Sequence, residues 1–189
     1  MSVPASISLI RHAEKQLGDE PPLGVLPDGN ADPGSLTPRG WQRAGALVGL
    51  FVPRADRTSA AVLPTPSHLF ACRAGPRSKS RRPLETLVPL SERLGIEVDE
   101  RFSQDELDEL LDAVRGCDGH VLVAWEHKRL PIISTKLVGD GSVVPHLWPD
   151  DRFDVVWVFE AVTGAGDLRL RQVPQLLLAG DRPETIGGA

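Results

Sequence analysis

Two short apolar runs, each stopping at a histidine, constrain this chain more than any other feature. The first lies over 6–10, with Ile7, Leu9 and Ile10 in a β-prone stretch, and it gives out into Arg11 and His12. The second is Val121-Leu122-Val123-Ala124-Trp125, opened by His120 and closed by Glu126 and His127. Runs this short, rich in β-branched residues and bounded by polar ones, read as buried strands. The stretches between them carry the helical period instead. Thr37 and Pro38 stand as N-cap and first-turn residue ahead of Trp41, Ala44, Val48 and Phe51, which share one face and predict a helix over 38–51. Leu84, Leu87, Val88, Ser91 and Leu94 mark the face of a second helix, and Leu107, Leu110, Leu111 and Val114 that of a third. Leu130, Ile133 and Leu137 predict a fourth over 128–138, with Pro131 in its first turn, where a missing N–H costs little.

Read in order, the chain is strand, long loop, helix, strand near Leu69, helix, short strand near Ile96, helix, strand to Ala124, helix, and two final strands over 154–159 and 168–173. This alternation predicts an α/β protein, a three-layer α/β/α sandwich around a mostly parallel central sheet. The last two strands, joined across Thr163-Gly164-Ala165-Gly166-Asp167, predict a hairpin and hence an antiparallel edge. With 189 residues and no linker, repeat or low-complexity tract, a single domain is expected over 1–180. Apolar residues thin out from Asp181, so 181–189 is expected to be a flexible tail. No basic-apolar-small leader precedes the first strand and no apolar run reaches the length of a membrane span, so the expectation is a cytoplasmic protein with no membrane partner. A net charge of −5 argues against nucleic acid as a partner. Cys72 and Cys117 stand alone in different elements and read as reduced thiols. Nothing in the sequence fixes the oligomeric state.

Strand ends are where catalytic groups gather in α/β proteins. A neutral imidazole is a nucleophile near pH 7, and an arginine beside it donates paired hydrogen bonds to an anion while keeping its charge, so Arg11-His12 suits phosphoryl transfer. A plain surface pair is the competing reading of these two residues alone. Against it, Ser78-Lys79-Ser80-Arg81-Arg82-Pro83 sets a second basic group at a helix start, where backbone N–H groups favour an anion, and His127 closes the second strand just as His12 follows the first. No metal and no other cofactor is expected. His-Glu-x-x-His and paired Cys-x-x-Cys motifs are missing, and Arg11 beside His12 repels a divalent cation. His68, His120 and His146 read as ordinary.

Taken together and in order, these segments resemble the histidine phosphatase superfamily, with its phosphoglycerate mutase-like fold. Residues 9–14 match its Arg-His signature, 36–44 its Leu-Thr-x-x-Gly-x-x-Gln/Arg-Ala helix start, 78–86 its Ser-x-x-x-Arg-x-x-x-Thr element, and 121–127 its second-histidine strand. The resemblance implies that His12 is the nucleophile that becomes phosphohistidine, with Arg11, Arg82 and His127 completing a phosphate pocket. It also implies a carboxylic acid that protonates the leaving alkoxide. Ala13 stands where many relatives have glycine, and Leu87 replaces a frequent alanine. Lys128 follows the second histidine where the phytase-like branch carries an aspartate, which removes that proton donor. Other relatives take the acid from the segment after the second arginine, which here offers Asp105 and Glu106, Glu106 preferred. A solvated helix start is the competing reading of that segment, and Glu14 and Glu126 are rivals for the role. Substrate contacts are expected from the loop over 18–35 and from the loop over 144–153. Glu14, Trp148 and Arg152 are the candidates, and loop packing is the competing reading of the last two. The expected activity is metal-independent hydrolysis of a small or medium phosphomonoester, with a small phosphorylated molecule as the partner. A phosphomutase using the same intermediate, or a non-catalytic phospho-ligand or protein-binding member, are the alternatives.

Overall fold

Strand β1 (Ser6–Arg11) is buried along its whole length and pairs in parallel with β4 (His120–Trp125), from Ser6 opposite His120 to Arg11 opposite Trp125. The register brings the two histidine-bearing strand ends side by side, and the His12 amide prolongs it by donating to the Trp125 carbonyl at 3.1 Å. The structure, a computed structural model, describes residues 4–52, 63–76, 78–161 and 168–187. Around this central pair the sheet adds β2 (His68–Ala71) and β3 (Val98–Asp99) on one side, and β5 (Val155–Ala161) and β6 (Leu168–Pro174) on the other. The order is β3-β2-β4-β1-β5-β6, with the first four strands parallel and the last two antiparallel. The expected antiparallel edge is therefore present. Its connecting residues 163–167 lie outside the described residues.

Period-2 alternation divides the strands' side chains between two cores. Ile7, Leu9, Val121, Val123, Trp157 and Phe159 face α3 (Leu107–Arg115) and α4 (Leu130–Val138). Ile10, Leu122, Ala124, Val156 and Val158 face α1 (Pro38–Phe51) and α2 (Arg82–Leu94). The result is the three-layer α/β/α arrangement expected from the sequence. Helix α1 starts as its sequence predicts, with the Thr37 hydroxyl accepting from the Gly40 amide at 3.2 Å. Helix α2 stops at Gly95, whose left-handed φ of 68° lets its amide bond the Ser91 carbonyl. Helix α4 begins at Leu130 instead of Lys128, because the amides of Arg129 and Leu130 first turn back onto the Glu126 carbonyl. None of the described helices is long and apolar enough to cross a membrane.

One expectation is corrected. The segment from Asp181 onward is not a loose tail over its described length. The Asp181 carboxylate is buried against Arg43 and accepts the Leu177 and Leu178 amides. Gln172 bonds both the amide and the carbonyl of Ile186, whose side chain is buried. A single apolar anchor and a buried carboxylate hold what a hydropathy count left free.

Candidate active site

His12 leaves β1 into a turn that two sequence motifs brace. The Ala13 amide donates to the Thr86 hydroxyl at 2.9 Å, and that hydroxyl donates to the Arg82 carbonyl at 2.6 Å, so the threonine of the second motif ties the turn to the first turn of α2. On the other side the Thr37 amide donates to the Glu14 carbonyl. Gly40 packs so close that a Cβ there would stand 2.5 Å from the same carbonyl oxygen. The glycine of the helix-start motif is thus a spacing requirement.

This bracing fixes the chemical state of His12. Its Nδ1 lies 2.8 Å from the Ala13 carbonyl, which can only accept, so Nδ1 carries the proton and Nε2 keeps a lone pair. Burial pushes the ring's pKa well below the usual histidine value, and the charges of Arg11, Arg82 and Lys15 add to that push while the Ala13 bond opposes it. The imidazole is neutral at pH 7.

His12, Arg82 and His127 line one cavity of about 270 Å3, together with Lys15, Glu126, Cys72, Gln104 and the serines Ser78 and Ser80. Three of the four residues expected to bind phosphate therefore meet in its wall. The fourth, Arg11, is fully buried beside it. Its Nη1 donates to the carbonyls of Pro149, Asp150 and Arg152 at 3.1, 2.7 and 3.2 Å, and its guanidinium carbon lies 3.8 Å above the Phe153 ring. Its Nε and Nη2 have no hydrogen-bond partner among the described residues. Burial lowers its pKa to about 10, which leaves it charged at neutral pH.

His127 sits where β4 gives out, with Nε2 at 2.5 Å from the Asp150 carboxylate and Nδ1 buried without a partner among the described residues. Burial and then the Arg11 charge bring its pKa down to about 4, against the pull of Asp150. Arg82 reaches back from the start of α2 and donates to the carbonyls of Ser35 and Pro33 and to the Ser80 hydroxyl. Lys15 is lowered by burial and then by Arg11 and Arg82. Cations that depress one another around a neutral histidine are arranged for an anion. Cys72 is no rival nucleophile, since burial and the Glu126 charge push its thiol up to about 12.

Several expected site residues lie elsewhere. Glu106 does not line the cavity. It is a half-exposed group that accepts the Ser103 amide at 2.7 Å, its pKa is lowered by that bonding, and Arg73 lies beside it. Asp105 pairs with Arg129 at 2.5 Å and is also outside the cavity wall. The turn before α3 presents Gln104 to the cavity instead, so Glu126 is the carboxylate nearest in sequence to His127 that lines it. Glu14 turns away to Arg43 and Arg39 in a buried network. Trp148 is core, its ring tilted against that of Trp157 at 4.7 Å between centroids and its N–H on the Arg152 carbonyl. Arg152 is buried against Asp154 and the Glu184 carbonyl. Sequence reasoning missed Lys15, Ser78, Ser80, Gln104 and Asp150. The first three sit inside or beside the quoted motifs, where their proximity was a usable signal.

SixA of Agrobacterium tumefaciens, a candidate phosphohistidine phosphatase, superposes with a TM-score of 0.54, covering 88% of this chain and 96% of its own at 14% identity. YhfR of Bacillus stearothermophilus gives 0.53 over 87% and 94% at 15% identity. This is the histidine phosphatase fold. No protein-family model matches the sequence, and no curated protein matches it significantly. The same fold is therefore built here from a sequence far from that of either structural neighbour.

Proposed function

We propose that this protein is a phosphomonoester hydrolase that works through a phosphohistidine on His12. One observation carries the reading: among the described residues, Nε and Nη2 of Arg11 are buried donors without a partner, beside a neutral His12 whose Nε2 keeps its lone pair. Buried polar atoms without partners are costly, and a phosphoryl group supplies the acceptors they lack. The fold shared with SixA supports the same reading.

In the first step the Nε2 lone pair of His12 bonds to phosphorus as the bond to the leaving oxygen breaks. Glu126, as a carboxylic acid in the cavity wall, gives its proton to that oxygen. Arg11, Arg82, Lys15 and the Ser78 and Ser80 hydroxyls stabilise charge on the transferring oxygens. In the second step water attacks phosphorus, Glu126 takes its proton, the N–P bond breaks and its electron pair returns to Nε2, releasing phosphate. A cavity of about 270 Å3 suits a phosphoryl group with a small or medium ester.

The test is turnover of para-nitrophenyl phosphate and acid-labile labelling of the protein. His12→Ala is expected to lose both. Activity retained in that variant removes the mechanism, and dependence on a bisphosphate primer replaces hydrolysis with a mutase reaction.

A further inference from the structure

A second cavity, of about 720 Å3, adjoins the first. Lys15 lines both, and Asp150, whose carboxylate reaches His127, stands in the wall of the larger one. A leaving group departing from a phosphoryl group on His12 has this space within reach. Nothing in the reaction described above uses it.

Its walls combine two kinds of chemistry. Pro21, Pro22 and Phe153 are apolar, and Leu17 stands on the rim with 75% of its surface exposed. Phe153 is shared with the reaction centre, since its ring carries the Arg11 guanidinium and lies 6.2 Å from the His12 ring. The charged part of the lining holds six carboxylates against four cations. Those cations are committed. Arg39 and Arg43 hold Glu14 and Asp181, Arg182 holds Asp151, and Lys15 belongs equally to the phosphate cavity. Asp154 is likewise held by Arg152, so the carboxylates facing no cation of their own among the described residues are Glu20 and Asp150, whose partner His127 is neutral. A second anionic group entering here meets these two and cations already paired.

We propose that this cavity is the leaving-group subsite and that it selects esters bearing one phosphate on a leaving group with a ring-sized apolar face and no anionic substituent. The proposal rests on the phosphate site described above and adds a substrate class to it. Bisphosphates and phosphorylated carboxylic acids are disfavoured by the same lining.

Calorimetric titration of the full chain with non-hydrolysable phosphonates tests this without relying on turnover. Benzylphosphonate is expected to bind at least about tenfold tighter than methylphosphonate, a factor that covering on the order of 60 Å2 of apolar surface supplies. A 4-carboxy group on the benzyl ring is expected to cost at least about tenfold relative to benzylphosphonate. Leu17→Asp, at an exposed position that the fold does not need, is expected to cut the benzyl-to-methyl ratio about fivefold. Equal affinity for the methyl and benzyl compounds, or no loss from the carboxylate, overturns the subsite while leaving the phosphate site standing. If neither these compounds nor inorganic phosphate binds, the phosphate site itself fails and the subsite falls with it.

Discussion

Histidines held neutral in a buried site make a fold sensitive to acid, and the size of that effect can be worked out for His127. In the unfolded chain its imidazole takes up a proton near pH 6.5, whereas in the fold burial and Arg11 hold its pKa to about 4. Between these values the unfolded state binds a proton that the native state does not. Stability is therefore complete above pH 6.5 and falls as the pH drops toward 4. The side chain is only 5% exposed, so solvent screening takes little from the effect. At about 1.4 kcal/mol per pH unit, His127 accounts for a loss of about 3 kcal/mol across that window. His12 is depressed as well and adds a second proton of the same sign. The wild-type slope is therefore steeper than His127 alone produces, and His127→Gln loses the share of about 1.4 kcal/mol per pH unit that this ring supplies. Urea unfolding in phosphate-free buffer between about pH 7.5 and 4.5 measures both slopes. Asp181, lowered from 3.8 by Arg43 in spite of its burial, titrates below this window and does not confuse it. Parallel stability profiles for the wild type and His127→Gln would refute the claim that this ring is held neutral.

Three other substitutions probe the framework and the chemistry. Arg43→Met leaves the buried Glu14 and Asp181 with only the half-exposed Arg39 between them and is expected to destabilise the protein by about 3 kcal/mol, read as a lower urea midpoint at unchanged slope. Gly40→Ala drives a methyl group against the Glu14 backbone and is expected to cost about 1–3 kcal/mol, together with a fall in kcat because that backbone positions the His12 turn. Glu126→Gln is expected to lower kcat about a hundredfold or more on an ester with a poor leaving group, whereas Glu106→Gln stays within about twofold of wild type. The reverse order would return the proton-donor role to the segment before α3.

The parts of the fold that were legible in the sequence are those set by local rules. The face of α1, its Thr37 cap and the two buried strands follow from side-chain period and capping chemistry, which operate within a few residues. The glycine of Leu36-Thr37-x-x-Gly40 and the threonine of the second motif were legible as a resemblance, and the structure gives each a contact with the His12 turn. Directions were much less legible. Whether residue 104 or 106 faces the cavity depends on how the turn before α3 meets β2 and β4, and a helical period that begins at Leu107 says nothing of the residues just before it. Trp148 and Arg152 carry the chemistry of a substrate contact but spend it on Trp157, Asp154 and the C-terminal segment.

The loop that holds Arg11 shows why part of such a site leaves no trace in a motif. Nη1 of Arg11 is gripped by three backbone carbonyls, from Pro149, Asp150 and Arg152, and a carbonyl is supplied by any residue type. The same loop sends the Asp150 carboxylate to His127 Nε2, so one segment far along the chain from both Arg11 and His127 fixes the two together. With Nη1 committed, Nε and Nη2 are the guanidinium atoms left for an anion, and with Nε2 of the neutral His127 ring turned to Asp150, Nδ1 is left as a lone pair. The loop's contribution is to choose which atoms stay unpaired, and it makes that choice through backbone geometry. A search restricted to side-chain identity finds the arginine and the histidine yet passes over the segment that decides how they can be used.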